Sequence, residues 1–182
     1  MKPMLFNTEM VRAILEGRKT VTRRAVKPQP ESRPTPMKKD SCWPGCFAIQ
    51  GTAKVIRPPY QPGDTLWVRE TWAKSMAGTF MYQADDNAIM VERWRPSIHM
   101  PREAARLFLL VTGVRVELLQ DCGYAQAQDE GCTCCSQFVR IWDRTIKPTD
   151  QALYDWEANP WVWVIEFERI SKDEALGGGG DG

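Results

Sequence analysis

The sequence predicts a mixed α+β domain built on a small β-barrel, and three observations carry that expectation. Strand candidates fall at residues 65–72, 106–118 and 161–168, with only short helical patterns between them. That spacing favours a small barrel with short flanking helices over a doubly wound sheet. No Gly-rich loop leads from a strand into a helix and no internal repeat is found, so nucleoside triphosphate chemistry is not expected. With 182 residues, one core should carry everything: a single domain over 1–172, then a flexible Gly-rich tail over 173–182.

The elements follow in order. Thr8 is placed to cap a short helix whose apolar face is Met10, Val11, Ile14 and Leu15, and Gly17 supplies a left-handed stop. Residues 25–59 collect Pro28, Pro30, Pro34, Pro36, Pro44, Pro58 and Pro59 with few paired apolar positions, which predicts a long surface excursion, either a lid or an insertion. Pro62-Gly63 marks a turn into the 65–72 strand, which is rich in β-branched and aromatic residues. The 106–118 strand is apolar on both faces over 107–111 and should therefore lie centrally. A short helix is expected within 150–156. The 161–168 strand closes the core with one aromatic-aliphatic face, Trp67 and Trp163 being given to the core.

Composition narrows the function classes. A chain 43% hydrophobic and 26% charged is an ordinary globular one, and its longest apolar run is far shorter than a bilayer span. Met1-Lys2-Pro3-Met4 lacks the apolar core of a secretory signal, so a cytoplasmic protein with no membrane partner is expected. In that reducing compartment Cys42, Cys46, Cys122, Cys132, Cys134 and Cys135 read as thiols, the alternative being two clusters that share a zinc ion if the excursion folds back. A net charge of +1 argues against a generic polyanion binder. The charge is uneven, however: Arg18, Lys19, Arg23, Arg24, Lys27, Arg33, Lys38 and Lys39 face only Glu31 in their stretch. This is either a basic entrance for a polar or phosphate-bearing ligand or a solvated loop face.

The segment Gly17-Arg18-Lys19-Thr20-Val21-Thr22-Arg23-Arg24 resembles the Gly-x-Lys-Thr-x-Thr-x-Arg signature of the ASCH superfamily. Further similarities follow in the expected order: Pro62-Gly63-Asp64 before Leu66-Trp67-Val68-Arg69-Glu70-Thr71-Trp72, then Trp94-Arg95-Pro96-Ser97-Ile98-His99-Met100-Pro101, which looks like phage-borne members, and Trp163-Val164-Ile165-Glu166-Phe167. The resemblance implies a PUA-like pseudobarrel, a fold that in some relatives binds RNA or modified bases. Small bacterial members are N4-acetylcytidine amidohydrolases with a Lys, a Thr and a Glu as the catalytic group. Carried over by motif, these fall on Lys19 and Thr22, and a gap-free reading from the central strand through Gln120 puts the acid on Glu130.

The implied chemistry makes specific demands. Amide hydrolysis needs a nucleophile, a base and donors for the developing oxyanion. Lys19 among Arg18, Arg23 and Arg24 would favour its neutral amine, which could serve as base toward Thr22. Glu130 would orient Lys19 or handle the proton of the departing amine. Residues three apart on a strand face opposite ways, so Lys19 and Thr22 converge only if the strand begins near Thr20. Thr20, Arg24, Glu70 and Trp72 are the substrate-binding candidates: Glu70 for a base's exocyclic amine, Trp72 or Trp67 for stacking, and Arg24 for a carbonyl or phosphate, or to pair with Glu70. The expected partner is a small nucleoside or base, with RNA as the alternative for a non-catalytic binding module, and no cofactor or metal is expected.

Overall fold

The computed structural model describes residues 1–85 and 91–177. The chain opens with β1 (Lys2–Leu5), α1 (Thr8–Leu15) and β2 (Val21–Ala25). The short strands β3 (Pro34–Pro36), β4 (Phe47–Ile49) and β5 (Val55–Ile56) precede β6 (Thr65–Arg69), β7 (Trp72–Lys74) and β8 (Phe80–Tyr82). The long strand β9 (Phe108–Leu118) leads to α2 (Tyr124–Asp129), α3 (Cys135–Thr145) and α4 (Gln151–Tyr154), and β10 (Trp161–Ile170) and α5 (Lys172–Ala175) finish the described chain.

This is a mixed α+β fold. Its main sheet has the order β1-β6-β9-β10-β2, with β1 parallel to β6 and every other pairing antiparallel. β9 lies at the centre, as its two-sided apolar run requires, with Leu107, Phe108, Leu109 and Val111 buried. β10 zips along it from Trp161 opposite Leu118 to Ile170 opposite Phe108, with one irregularity at Glu166/Phe167. Val162, Val164 and Ile165 from β10 meet Leu66, Val68 and Leu109 in a core that is essentially dry. No helix among the described residues is long and apolar enough to cross a membrane.

The expected small barrel is not closed. Among the described residues β1 and β2 end the sheet as edges, without a ladder between them. The two edges nevertheless face a common gap. Met4, Leu5 and Phe6 from one side and Thr22, Arg23 and Arg24 from the other line the same cavity, and Arg24 Nη2 reaches across it to Leu5 O at 3.1 Å. The sheet is therefore open where the cavity lies, and a side chain spans the gap that backbone hydrogen bonds would close in a barrel.

Other expectations need adjustment. The helix cap is Asn7, whose Oδ1 accepts from Met10 N at 2.8 Å, while Thr8 is already helical and bonds Gln83. The 65–72 strand breaks after Arg69, because Glu70 turns into a buried ion pair and Trp72 starts a separate hairpin with β8. Within the proline-rich excursion, β3, β4 and β5 form a three-stranded antiparallel sheet, so it is more than a surface loop. Phe47 anchors it edge-on against Trp163, with ring centroids 5.2 Å apart. The expected tail also begins later: Ser171 caps α5 with a reciprocal Glu174 bond, and Ala175 packs near Trp67 and Phe108. The rest of that tail, from Gly178, lies outside the described residues.

Candidate functional site

Two helix stops build the site. α1 ends at Glu16, and Gly17 at φ 74° reverses the chain so that Arg18 N bonds Ala13 O at 2.9 Å and Gly17 N bonds Ile14 O at 3.1 Å. α2 ends the same way at Glu130: Gly131 has φ 83°, Cys132 N bonds Ala127 O at 2.9 Å, and Gly131 N bonds Gln128 O at 2.7 Å. Both are Schellman stops, which glycine enables because it reaches positive φ without a Cβ clash. The two exits then pair. Lys19 and Glu130 form an isolated antiparallel bridge, and Thr20 N bonds Asp129 O at 2.9 Å. Regular strand begins only at Val21, so Lys19 belongs to the turn and Thr22 to β2. The alternation of strand faces therefore does not separate them.

Lys19, Thr22 and Glu130 are 3%, 1% and 5% exposed, and all three line one cavity of about 610 Å³. Lys19 Nζ donates to Glu130 Oε2 at 2.5 Å, Val21 O at 2.8 Å and Glu130 O at 2.9 Å. Glu130 Oε1 accepts from Arg23 Nη1 at 3.1 Å, and Arg23 is held again by Glu117 Oε1 through Nη2 at 2.7 Å and Nε at 3.0 Å. Thr22 Oγ1 accepts from Arg24 Nη1 at 3.0 Å, which leaves its own hydrogen free to donate. Lys19 does not bond Thr22 directly; each is held by other groups. Phe6 lies near two cations, its ring centroid 5.6 Å from Lys19 Nζ and 5.5 Å from the Arg24 guanidinium.

Burial pulls the Lys19 ammonium below its ordinary pKa, and Arg24 pulls the same way while Glu130 opposes both. Burial also lowers Arg24. It acts against Arg23 too, but Glu130, Cys122 and Glu117 outweigh it and raise that guanidinium. The site thus holds a weakened ammonium on a carboxylate that a secured Arg23 guanidinium also holds. Such an arrangement can pass a proton between Nζ and Oε2 with little movement of heavy atoms.

The other sequence candidates divide. Arg24 lines the cavity. Thr20 is exposed, its backbone spent on Asp129 O and Phe167 N, and its side chain is outside the cavity lining. Glu70 is also elsewhere: it pairs with Arg106, Nε to Oε1 at 2.9 Å and Nη2 to Oε2 at 3.0 Å, and not with Arg24. Burial pushes the Glu70 carboxyl up although Arg106 draws it down. Trp72 is 3% exposed and packs on Phe80, Met100 and Ala104, with no face free for a base. Neither residue lines the cavity that Lys19, Thr22 and Glu130 share.

Sequence reading missed the far wall. Phe138, Ile141, Trp142 and Thr145 of α3 line the cavity at i, i+3, i+4 and i+7, a helical stripe that the periodicity of 132–149 could have revealed. Tyr60 completes the lining from the end of the excursion. The cysteines are free, and no group of three His, Cys, Asp or Glu among the described residues is placed to hold a metal ion. Burial raises Cys122 to about 12 and Cys132 to about 11, which leaves both as unreactive thiols near neutral pH. No family model, curated protein or solved structure matches this chain.

Proposed function

We propose that this chain is an amidohydrolase that removes acyl groups from the exocyclic N4 amine of acylated cytidine or cytosine, and that it is a PUA-like member of the ASCH superfamily. The observation that carries the reading is the 2.5 Å contact of buried Lys19 with Glu130, in a cavity that Thr22 also lines. A cavity of about 610 Å³ is of a size to take a nucleoside, and Phe6, Tyr60 and Trp142 offer it aromatic surface.

The chemistry runs in two stages. A proton moves from Lys19 Nζ to Glu130 Oε2, giving a neutral amine and a carboxylic acid inside the same pair. Nζ then exchanges a backbone acceptor for Thr22 Oγ1 and takes its proton as Oγ1 bonds the acyl carbon. Glu130 returns its proton to the departing N4 amine. Water then cleaves the threonine ester, releasing the acid and restoring the hydroxyl. Arg24, already bonded to Thr22 Oγ1, holds the nucleophile in register.

The test is incubation of the purified protein with N4-acetylcytidine, followed by chromatography for cytidine. Turnover that disappears in Lys19→Ala and Thr22→Ala is expected. Folded protein that fails on a series of acyl groups would sink the proposal. Oligonucleotide binding that survives both substitutions would instead favour a non-catalytic module for RNA or a modified base.

A further inference from the structure

The charges around the cavity balance everywhere but at one residue. Lys19 and Arg23 share Glu130, and Arg23 is held a second time by Glu117. Lys27 at the rim pairs with Asp150 at 3.3 Å. Arg24 has no ion pair with a carboxylate among the described residues. Its bonds go to uncharged oxygens only: Thr22 Oγ1 and Arg23 O at 3.0 Å from Nη1, and Leu5 O at 3.1 Å from Nη2. A guanidinium carries five N–H donors. One donor on Nη2 and the one on Nε are therefore left over. Those two nitrogens are neighbours on the guanidinium, and each has a donor to offer the oxygens of a carboxylate or phosphate.

The position of Arg24 says which part of a ligand would carry that anion. Nη1 lies 3.0 Å from Thr22 Oγ1, the atom that attacks the acyl carbon in the proposed reaction. An anion on the remaining donors of the same guanidinium is then only a few bonds from that carbon. The sugar phosphate of a nucleotide hangs on the opposite side of the pyrimidine from N4, much further away. We infer, resting on the hydrolase reading above, that the cavity selects acyl groups that themselves carry a carboxylate. The substrates are N4 half-amides of short dicarboxylic acids, and Arg24 grips the free carboxylate. Hydrolysis with one water then yields cytidine or cytosine and the dicarboxylate.

N4-succinylcytidine and N4-butanoylcytidine match in chain length and differ in charge, so they isolate the effect. Wild-type protein is compared on both by kcat/KM where turnover occurs and by calorimetric affinity where it does not. The succinyl compound should be preferred roughly 10- to 100-fold, the range of a bidentate charge-assisted contact. Arg24→Gln should abolish the preference, and Arg24→Lys, with charge but no fork, should keep part of it. Equal handling of the two compounds by wild type overturns the inference, as does a preference that survives Arg24→Gln. A gain for cytidine 5′-monophosphate over cytidine without a succinyl preference moves the anion to the sugar and overturns it too. A succinyl preference in binding with no hydrolysis sinks the hydrolase reading alone.

Discussion

Lys19 and Glu130 are joined three times, by an antiparallel backbone bridge and by contacts from Nζ to Oε2 at 2.5 Å and to the Glu130 carbonyl at 2.9 Å. The backbone pairing fixes where both side chains start, so little further entropy is lost in bringing their charges together. Both backbones are delivered by helix stops, and the ion pair marks where the end of α1, on its way into β2, meets the end of α2.

Glu130 answers two buried cations, whereas Lys19 answers one anion that Arg23 also neutralises. Removing the acid should therefore cost more than removing the base. Glu130→Ala leaves Lys19 without a carboxylate and is expected to lower stability by about 3–5 kcal/mol. Lys19→Met keeps Glu130 on Arg23 and replaces the ammonium with apolar atoms, for a loss of about 1–3 kcal/mol. Urea unfolding of the two variants checks the order, and equal losses would contradict the shared-carboxylate geometry.

Burial, the largest influence, lowers the pKa of Lys19 from the ordinary 10.5. Between its folded value and 10.5 the unfolded chain holds the proton more often than the folded one. Raising the pH through that window therefore stabilises the fold, while below it the full penalty of the buried charge applies. Cys132 and Cys122, raised by burial to about 11 and about 12, act oppositely above 9.0, since their unfolded thiols ionise first. The Lys19→Met protein keeps both thiols, so subtracting its stability removes the Cys122 contribution and most of that of Cys132, whose thiol Lys19 itself draws down. That difference should move in favour of wild type as pH climbs toward 10.5; a flat or falling difference would refute the lowered pKa. In the proposed reaction the proton that Glu130 returns to N4 is the one Lys19 first supplies, so kcat/KM falls over the same limb as that proton is lost.

Local features explain what was legible in the sequence. Gly17 after an apolar helical face announces the stop that releases Lys19, and alternating β-branched and aromatic residues announce β6, β9 and β10. The excursion was harder because prolines conceal its sheet: β3 is itself Pro34–Pro36, which an edge strand tolerates and a propensity scale rejects. Glu70 shows another limit. Its partner, Arg106, lies 36 positions away, and nothing local favours that cation over Arg24. Closure of the sheet was equally hidden, since it depends on whether β1 and β2 pair or leave a cavity between them.

Glu70 supplies a contrast with the cavity residues. It is 1% exposed and takes two bonds from Arg106, which also holds Asp85. Glu70→Gln keeps the shape but weakens this node, for an expected loss of about 1–3 kcal/mol in unfolding free energy. Affinity for a cytidine ligand should not change, because the node is outside the cavity lining. Calorimetric titration separates the outcomes, and weakened ligand binding in a folded Glu70→Gln protein would return Glu70 to the site.

Gly17 and Gly131 form a natural pair for testing how the two helix stops meet. Both have positive φ, 74° and 83°, so alanine at either carries the left-handed penalty of about 1–2 kcal/mol. Their surroundings differ. A Cβ at Gly17 meets nothing within 4 Å, whereas one at Gly131 would stand 2.6 Å from Ala13 Cβ and 3.1 Å from Lys19 Cβ. Neither neighbour can yield easily, since one sits on α1 and the other is pinned by the bridge to Glu130. Gly17→Ala should therefore show the conformational cost alone, while Gly131→Ala adds overpacking of about 1–3 kcal/mol. The excess should be smaller in a Gly131→Ala, Ala13→Gly double variant, which clears the closer contact. Denaturation of the three proteins measures it, and equal losses at the two glycines would show that the helix ends do not press on one another.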